Sequence, residues 1–219
     1  MVYLHYCSLE SILGNKNSSR LTSSERKKIR DYVYQHLNSF CRVVNLPQPH
    51  IVKHKYGKPY CENIPLLVFN YSHSQDYFIL AYSLDEQDIG IDMEDLSRQV
   101  KMEGLAKHSF HQQELEAWYK NNCSREFWFK IWTTKEAVLK AHGLGIRINL
   151  NEINTQVKLD NVQGIVQHSL LGDFIYHHIQ TENCMITLAY RQQQSSMLVG
   201  DKFDESAVNG AEQCVYKFV

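Results

Sequence analysis

The chain has 219 residues, 43% hydrophobic and 21% charged, an ordinary globular balance with length enough for one large domain or two small ones. Lys and Arg total 23 against 24 Asp and Glu, a formal charge of −1, so no global basic field draws the chain to nucleic acid or anionic lipid and any anion must be held locally. The opening MVYLHYCSLESILG lacks a basic segment followed by an apolar run, no stretch approaches the ~20 apolar residues of a membrane span, and six scattered cysteines without CxxC spacing read as reduced thiols, so a cytoplasmic protein without a membrane partner is expected.

In chain order, SSERKKIRDYVYQHL (23–37) combines a serine, early acid and base, and apolar residues at helical spacing, which predicts a capped helix that Pro47 and Pro49 terminate. Residues 66–82 read as two aromatic-rich strands joined by the polar turn SHSQD. IGIDMED (89–95) follows as a further strand. LSRQVKMEGLAKHSF is a mixed loop or short helix, and HQQELEAWYK a helix. The strongest helix runs from Arg125 to His142, with Trp128, Ile131, Trp132, Val138 and Leu139 on one stripe and Gly143 and Gly145 ending it. Lys135 falls inside that stripe, where an ammonium needs a fixed anion or a path to water. Strands return near 173–179 and 184–190. There FIYHH and TLAY echo FNYSH and ILAY of the first half, the mark of a duplicated α+β unit. Beyond Arg191 the sequence turns polar, predicting a loose tail. The eleven histidines include no HExxH, and His177 and His178, adjacent in a strand, must face opposite ways, so they read as surface or core fillers.

The chemistry begins with IGIDMED. In a strand, Asp92 and Glu94 share one face and Ile89, Ile91 and Met93 the other. Two acids so placed repel unless water, a proton or a cation intervenes, which leaves a solvated sheet face or a cation site. On the strong helix, Glu136 and Lys140 are one turn apart at the rim of the apolar stripe, as in a surface ion pair or a site. The SHS turn and the upstream YGKP (56–59) offer hydroxyls, an imidazole and a lysine suited to phosphate. Together these are the parts of metal-assisted phosphoryl chemistry, without a Walker A loop or GxGxxG.

The order YGKP, FNYSHS, IGIDMED, Phe110-x-x-x-Glu114 and FWFKIWTTKEAVLKAHGLG resembles the 4'-phosphopantetheinyl transferases of the monomeric, surfactin-synthesis type. That family transfers the phosphopantetheine arm of coenzyme A to a serine of an acyl, peptidyl or aryl carrier protein, releasing 3',5'-adenosine bisphosphate. The resemblance implies an α+β fold of two similar subdomains related by a pseudo-twofold. The first would be an N-terminal half (1–88) on the nucleotide side, the second a C-terminal half (89–192) with metal and catalytic helix, followed by a polar tail (193–219). It implies that Asp92, Glu94 and Glu136 hold Mg²⁺, with Mn²⁺ suited to the same oxygen ligands. Lys140 would contact the attacked phosphate, Lys58 and Pro59 the nucleotide, and Ser72 and His73 the 3'-phosphate or pyrophosphate. Glu114 would support the metal site. A serine nucleophile wants a base, for which Glu136 is the first candidate and Glu114 the second. Gln75 stands where the family has glycine after S-H-x, and Arg26, Lys27 and Arg30 are basic residues open to the 3'-phosphate. The segment after the acidic strand, with Arg98, Val100, Lys101 and Met102, is the expected carrier-docking surface. A metal-dependent phosphodiesterase and a non-catalytic coenzyme A or carrier-binding module are the rival readings.

Overall fold

The first long helix begins where Thr22 caps it: the Thr22 hydroxyl accepts from Glu25 N–H, and the Glu25 carboxylate accepts from Thr22 N–H, satisfying two end donors reciprocally. In the computed structural model, residues 1–14, 20–145 and 147–192 are described in full and 214–218 by their backbone. The elements are β1 (Val2–Ser8), α1 (Leu9–Leu13), α2 (Ser23–Val43), β2 (Ile51–Lys53), β3 (Pro59–Cys61), β4 (Val68–His73), β5 (Tyr77–Ser83) and β6 (Gly90–Asp95). They continue with α3 (Met102–Ser109), α4 (Gln112–Lys120), α5 (Arg125–His142), a 3-10 turn at Leu150–Glu152, β7 (Gln163–His168), β8 (Gly172–Gln180), β9 (Cys184–Arg191) and β10 (Cys214–Phe218). The class is α+β. Helix α5 has the bounds its sequence predicts, because Ser124 accepts from Phe127 N–H at its start and Gly143, at φ 86°, closes it in the left-handed region. Helix α2 outruns its prediction to Val43, and β1, β2, β3 and β7 are strands the periodicity did not single out.

Two antiparallel four-stranded sheets organise the chain, in the orders β10-β1-β5-β4 and β6-β9-β8-β7, with β2 and β3 forming a separate hairpin. Strand alternation sends each sheet's faces to different cores. Leu80 and Tyr82 pack with Ile29, Val33 and Leu37 of α2. Tyr176 and Ala189 pack with Trp128, Ile131 and Val138 of α5. The opposite faces meet each other, Val2, Leu4, Ile79 and Ala81 of one sheet against Ile91, Met93, Ile186 and Leu188 of the other. The order of layers is therefore helix, sheet, sheet, helix.

The run strand, helix, hairpin with its last strand paired to the first occurs twice, as β1, α2, β4, β5 and as β6, α5, β8, β9. Only half of the sequence echo is structural. Phe69 and Tyr71 correspond to Phe174 and Tyr176, each pair lying on the helix-facing side. The LAY letters are one residue out of step, for Leu80 faces its helix whereas Leu188 faces the other sheet. The polar tail lies outside the described residues except for β10, whose backbone pairs with β1 from Val2↔Phe218 to Tyr6↔Cys214. Among the described residues, no helix is long and apolar enough to cross a membrane, and Cys7, Cys41, Cys61, Cys123 and Cys184 are free thiols.

Candidate active site

Strand β6 lies between β9 and α5, and Gly90 makes that fit possible. A Cβ there would stand 2.1 Å from the Ala137 carbonyl oxygen and 2.3 Å from Ala141 N, so only glycine lets the strand approach the helix backbone so closely. The alternation from Gly90 then turns Ile91 and Met93 into the intersheet core and Asp92 and Glu94 toward the helix side. Helix α5 brings Glu136 and, one turn on, Lys140 to the same place.

These four residues, with Ser72, His73, Arg98 and Trp132, line a cleft of about 650 Å³. Lys140 Nζ lies 2.7 Å from Asp92 Oδ1, 3.0 Å from Ser72 Oγ and 3.1 Å from the Ile91 carbonyl. Ser72 Oγ donates to the same Asp92 oxygen at 3.2 Å, while Asp92 Oδ2 is buried without any hydrogen-bond partner. Glu94 accepts from Arg98 Nη1 with both oxygens, at 2.6 and 2.5 Å, and Trp132 also hydrogen-bonds its carboxylate. Among the described residues Glu136 has no hydrogen-bond partner, and burial, then the neighbouring Asp92, pushes its carboxyl up to about 7. Glu94 is raised by the same two causes, opposed by Arg98.

A second cleft of about 310 Å³ shares Tyr71, Glu136 and Lys140 with the first. Its other walls are Tyr56, Gly57, Lys58, Pro59, Asn70 and the glycines after α5. Thus YGKP, the SHS turn, the acidic strand and the long helix, far apart in sequence, converge on two adjoining clefts. Lys58 Nζ donates to the Ala141 carbonyl at the end of α5. His73 is exposed at the turn and its Nδ1 lies 3.3 Å from the Ser74 carbonyl.

Glu114 is not brought to the site. It lies in the core between α4, α5 and the segment after the 3-10 turn, with its side chain 3% exposed and 2.7 Å from Lys135 Nζ. Its oxygens also accept from His111 N–H at 2.8 Å, from Thr155 N–H at 2.7 Å and from the Thr155 hydroxyl at 2.5 Å. All its lone pairs are engaged and it lines neither cleft, so it acts as a structural anion. Lys135, completely buried, receives from it the fixed anion that its place in the apolar stripe demands.

In the expected docking segment, Val100 and Met102 are partly buried against the α5 core, Lys101 is exposed, and Arg98 contacts Glu94. Gln75 requires no glycine: its φ is not positive, and the turn is held through its backbone N–H, 2.6 Å from Asp95 Oδ2, with Ser74 Oγ 3.1 Å from Asp95 Oδ1. Asp95 and Asn70, whose Oδ1 accepts from Ile91 N–H across the two sheets at 3.2 Å, are positioning residues that periodicity could not flag. The acid after Glu94 in IGIDMED was the available signal for Asp95.

Among the described residues, no three His, Cys, Asp or Glu side chains converge as they stand on one ion, because Lys140 and Arg98 take the oxygens a cation would use. The donor chemistry nonetheless fits a hard divalent cation. Three carboxylates line one cleft, one buried oxygen is orphaned, and two acids are held above the usual carboxylate range by burial and by the charge of Asp92.

Residues 88–189 match the model of the 4'-phosphopantetheinyl transferase superfamily. Similar curated proteins include 4'-phosphopantetheinyl transferase gsp of Aneurinibacillus migulanus, 34% identical over 129 residues, which cover 56% of this chain and 48% of that protein. Sfp of Bacillus subtilis strain 168 is 30% identical over 108 residues, 48% of this chain and 46% of Sfp. AcpT of Escherichia coli K12 is 36% identical over 101 residues, 44% of this chain and 50% of AcpT. The chain spans about half the length of the curated relatives it matches. Across residues 88–189, which hold the acidic strand and the helix that faces it, this chain is similar to the 4'-phosphopantetheinyl transferase superfamily.

Proposed function

We propose that the protein transfers the 4'-phosphopantetheine arm of coenzyme A to a serine of an apo acyl, peptidyl or aryl carrier protein, releasing 3',5'-adenosine bisphosphate. The observation that carries this reading is the convergence of Asp92, Glu94, Glu136 and Lys140 with Ser72 on one cleft, inside the segment that matches the superfamily. Asp92, Glu94 and Glu136 would hold Mg²⁺ or Mn²⁺. When bound, the ion would neutralise charge on the pyrophosphate oxygens.

The chain's own groups supply the rest. Lys140, 31% exposed and at the cleft wall, would donate to an oxygen of the attacked phosphate and stabilise the charge that builds there. Ser72 and His73 would offer donors to the remaining phosphate oxygens. Lys58 and Pro59 border the second cleft, where the nucleotide would lie. Glu136 is shared by both clefts and would accept the proton of the carrier serine, directly or through water, as its oxygen attacks the β-phosphorus. We place the protein in the cytoplasm, where thiols such as Cys7, Cys41, Cys61 and Cys184 stay reduced, acting as a monomer because both halves line one cleft.

The test is the intact mass of apo carrier proteins incubated with the protein, coenzyme A and Mg²⁺. Gain of one phosphopantetheine arm on the carrier serine, lost with EDTA and with Asp92→Ala, is expected. Hydrolysis of coenzyme A without carrier would point instead to a phosphodiesterase. Binding of coenzyme A with no transfer to any fatty-acid or peptide-synthesis carrier would point to a binding module.

A further inference from the structure

Each of the two strand acids is neutralised by a cation of a different kind. Lys140 reaches Asp92 from the core helix and meets Ser72 and a backbone carbonyl as well, so it belongs to a fixed network. Arg98 reaches Glu94 from the surface. Its side chain is 46% exposed, against 13% for Glu94, and its guanidinium bonds that carboxylate. A single nitrogen, Nη1, lies within 2.6 Å of both Glu94 oxygens. A divalent cation would compete with Arg98 for those oxygens.

The backbone under Arg98 is held at two points. Arg98 N–H donates to the Asp95 carbonyl at 3.1 Å, and the Arg98 carbonyl accepts from Arg125 Nη2, so the Cα is tied to the end of β6 and the start of α5. From that anchor the guanidinium lines the same cleft as Lys140, Ser72 and His73. Arginine's planar fork suits phosphate oxygens as well as it suits a carboxylate.

We propose that Arg98 is a built-in counter-ion of the acidic cleft: it occupies Glu94 when no divalent cation is bound, gives way to the cation, and then binds a phosphate oxygen of coenzyme A. The inference rests on the cation-assisted reading above and assigns Arg98 to the cleft, away from an acidic carrier surface. Lysine would keep the charge and lose the fork, and glutamine would lose both.

The experiment compares the full-length wild type with Arg98→Gln and Arg98→Lys in two titrations. Mn²⁺ alone is followed by the loss of the free-ion electron paramagnetic resonance signal, and coenzyme A at saturating Mn²⁺ by calorimetry. Arg98→Gln is expected to bind Mn²⁺ at least fivefold more tightly and coenzyme A at least fivefold more weakly, with Arg98→Lys near wild type for Mn²⁺ and weakened for coenzyme A. Unchanged Mn²⁺ affinity, or unchanged coenzyme A affinity, in Arg98→Gln would overturn the proposal. A wild type that takes up no Mn²⁺ at all, with Asp92→Ala identical to it, would instead overturn the cation-assisted reading on which the proposal stands.

Discussion

Glu114 and Lys135 each carry a charge inside an apolar pattern, and each accounts for the other. Burial draws the Lys135 ammonium below its ordinary pKa while Glu114 pulls it back up, so the pair persists only as a pair. Removing one partner strands a buried charge, a loss of about 3 to 5 kcal/mol. Glu114→Gln should therefore lower unfolding stability by about that amount in urea titration, while transfer activity per folded molecule stays within about threefold of wild type. A loss of two or more orders of magnitude in kcat with stability unchanged would return Glu114 to the reaction. Glu136→Gln should behave oppositely, abolishing transfer while leaving stability equal or higher, because its carboxylate has no hydrogen bond to lose and stands among like charges. Asp92, Glu94 and Lys140 were legible in the sequence because strand and helix periods dictate where side chains point. Glu114 was not, because its partners Lys135 and Thr155 lie on other segments and no local period connects them. The contact of Arg98 with Glu94 was not legible for a related reason: Arg98 sits on a loop, where no period fixes the direction of a side chain.

Elements with strong end signals could be read closely, and elements set by tertiary pairing could not. Helix α5 carries a serine cap, a broad apolar stripe and a terminal glycine, and those local signals set its bounds. Strands β2 and β3 are three residues each and exist through their pairing with one another. The contact between β6 and α5 also depends on Gly90, whose role only the packing reveals. Gly90→Ala would press a methyl group on the Ala137 carbonyl and Ala141 N, backbone atoms that cannot rotate aside, and should cost about 3 kcal/mol. Because the same displacement separates Glu136 and Lys140 from Asp92 and Glu94, transfer by the folded fraction should fall at least tenfold, a readout that simple loss of stability would leave untouched. Strand β8 meets α5 through a buried histidine. His178 Nε2 lies 2.8 Å from the Thr134 hydroxyl, and burial pushes the imidazole down to about 4. The unfolded chain binds the proton near pH 6.5, so between pH 6.5 and 4 it holds more protons than the folded one. This contribution to stability is complete above pH 6.5 and falls by about 2 kcal/mol by pH 5. Urea unfolding of wild type and His178→Gln at pH 7.5 and pH 5 measures it. The gap between the two proteins should narrow by that amount at the lower pH, and a constant gap would mean that His178 is readily protonated in the fold.

At the scale of the whole molecule, the doubled topology was visible only faintly, through one echo that keeps its face and one that loses it. What sequence similarity to the superfamily covers, residues 88–189, is the half that supplies the acids and Lys140. The cleft nevertheless takes Ser72 and His73 from β4, and β6 is tied to β4 through Asn70. The two sheets bury their inner faces on each other, so each half alone would expose a continuous apolar surface built from Leu4, Ile79 and Ala81 on one side and Ile91, Ile186 and Leu188 on the other. A fragment of residues 88–192 should therefore fail to unfold cooperatively by itself, in spite of carrying the whole superfamily match. Mixed with a fragment of residues 1–87, it should regain both a cooperative transition and Mn²⁺ uptake, since the shared core and the Asn70 bond would reassemble. Circular dichroism melts of the fragments, alone and mixed, decide the matter. A fragment 88–192 that melts by itself at the temperature of the full chain would show that the intersheet core adds nothing to its stability, and that the second half positions its carboxylates without the first.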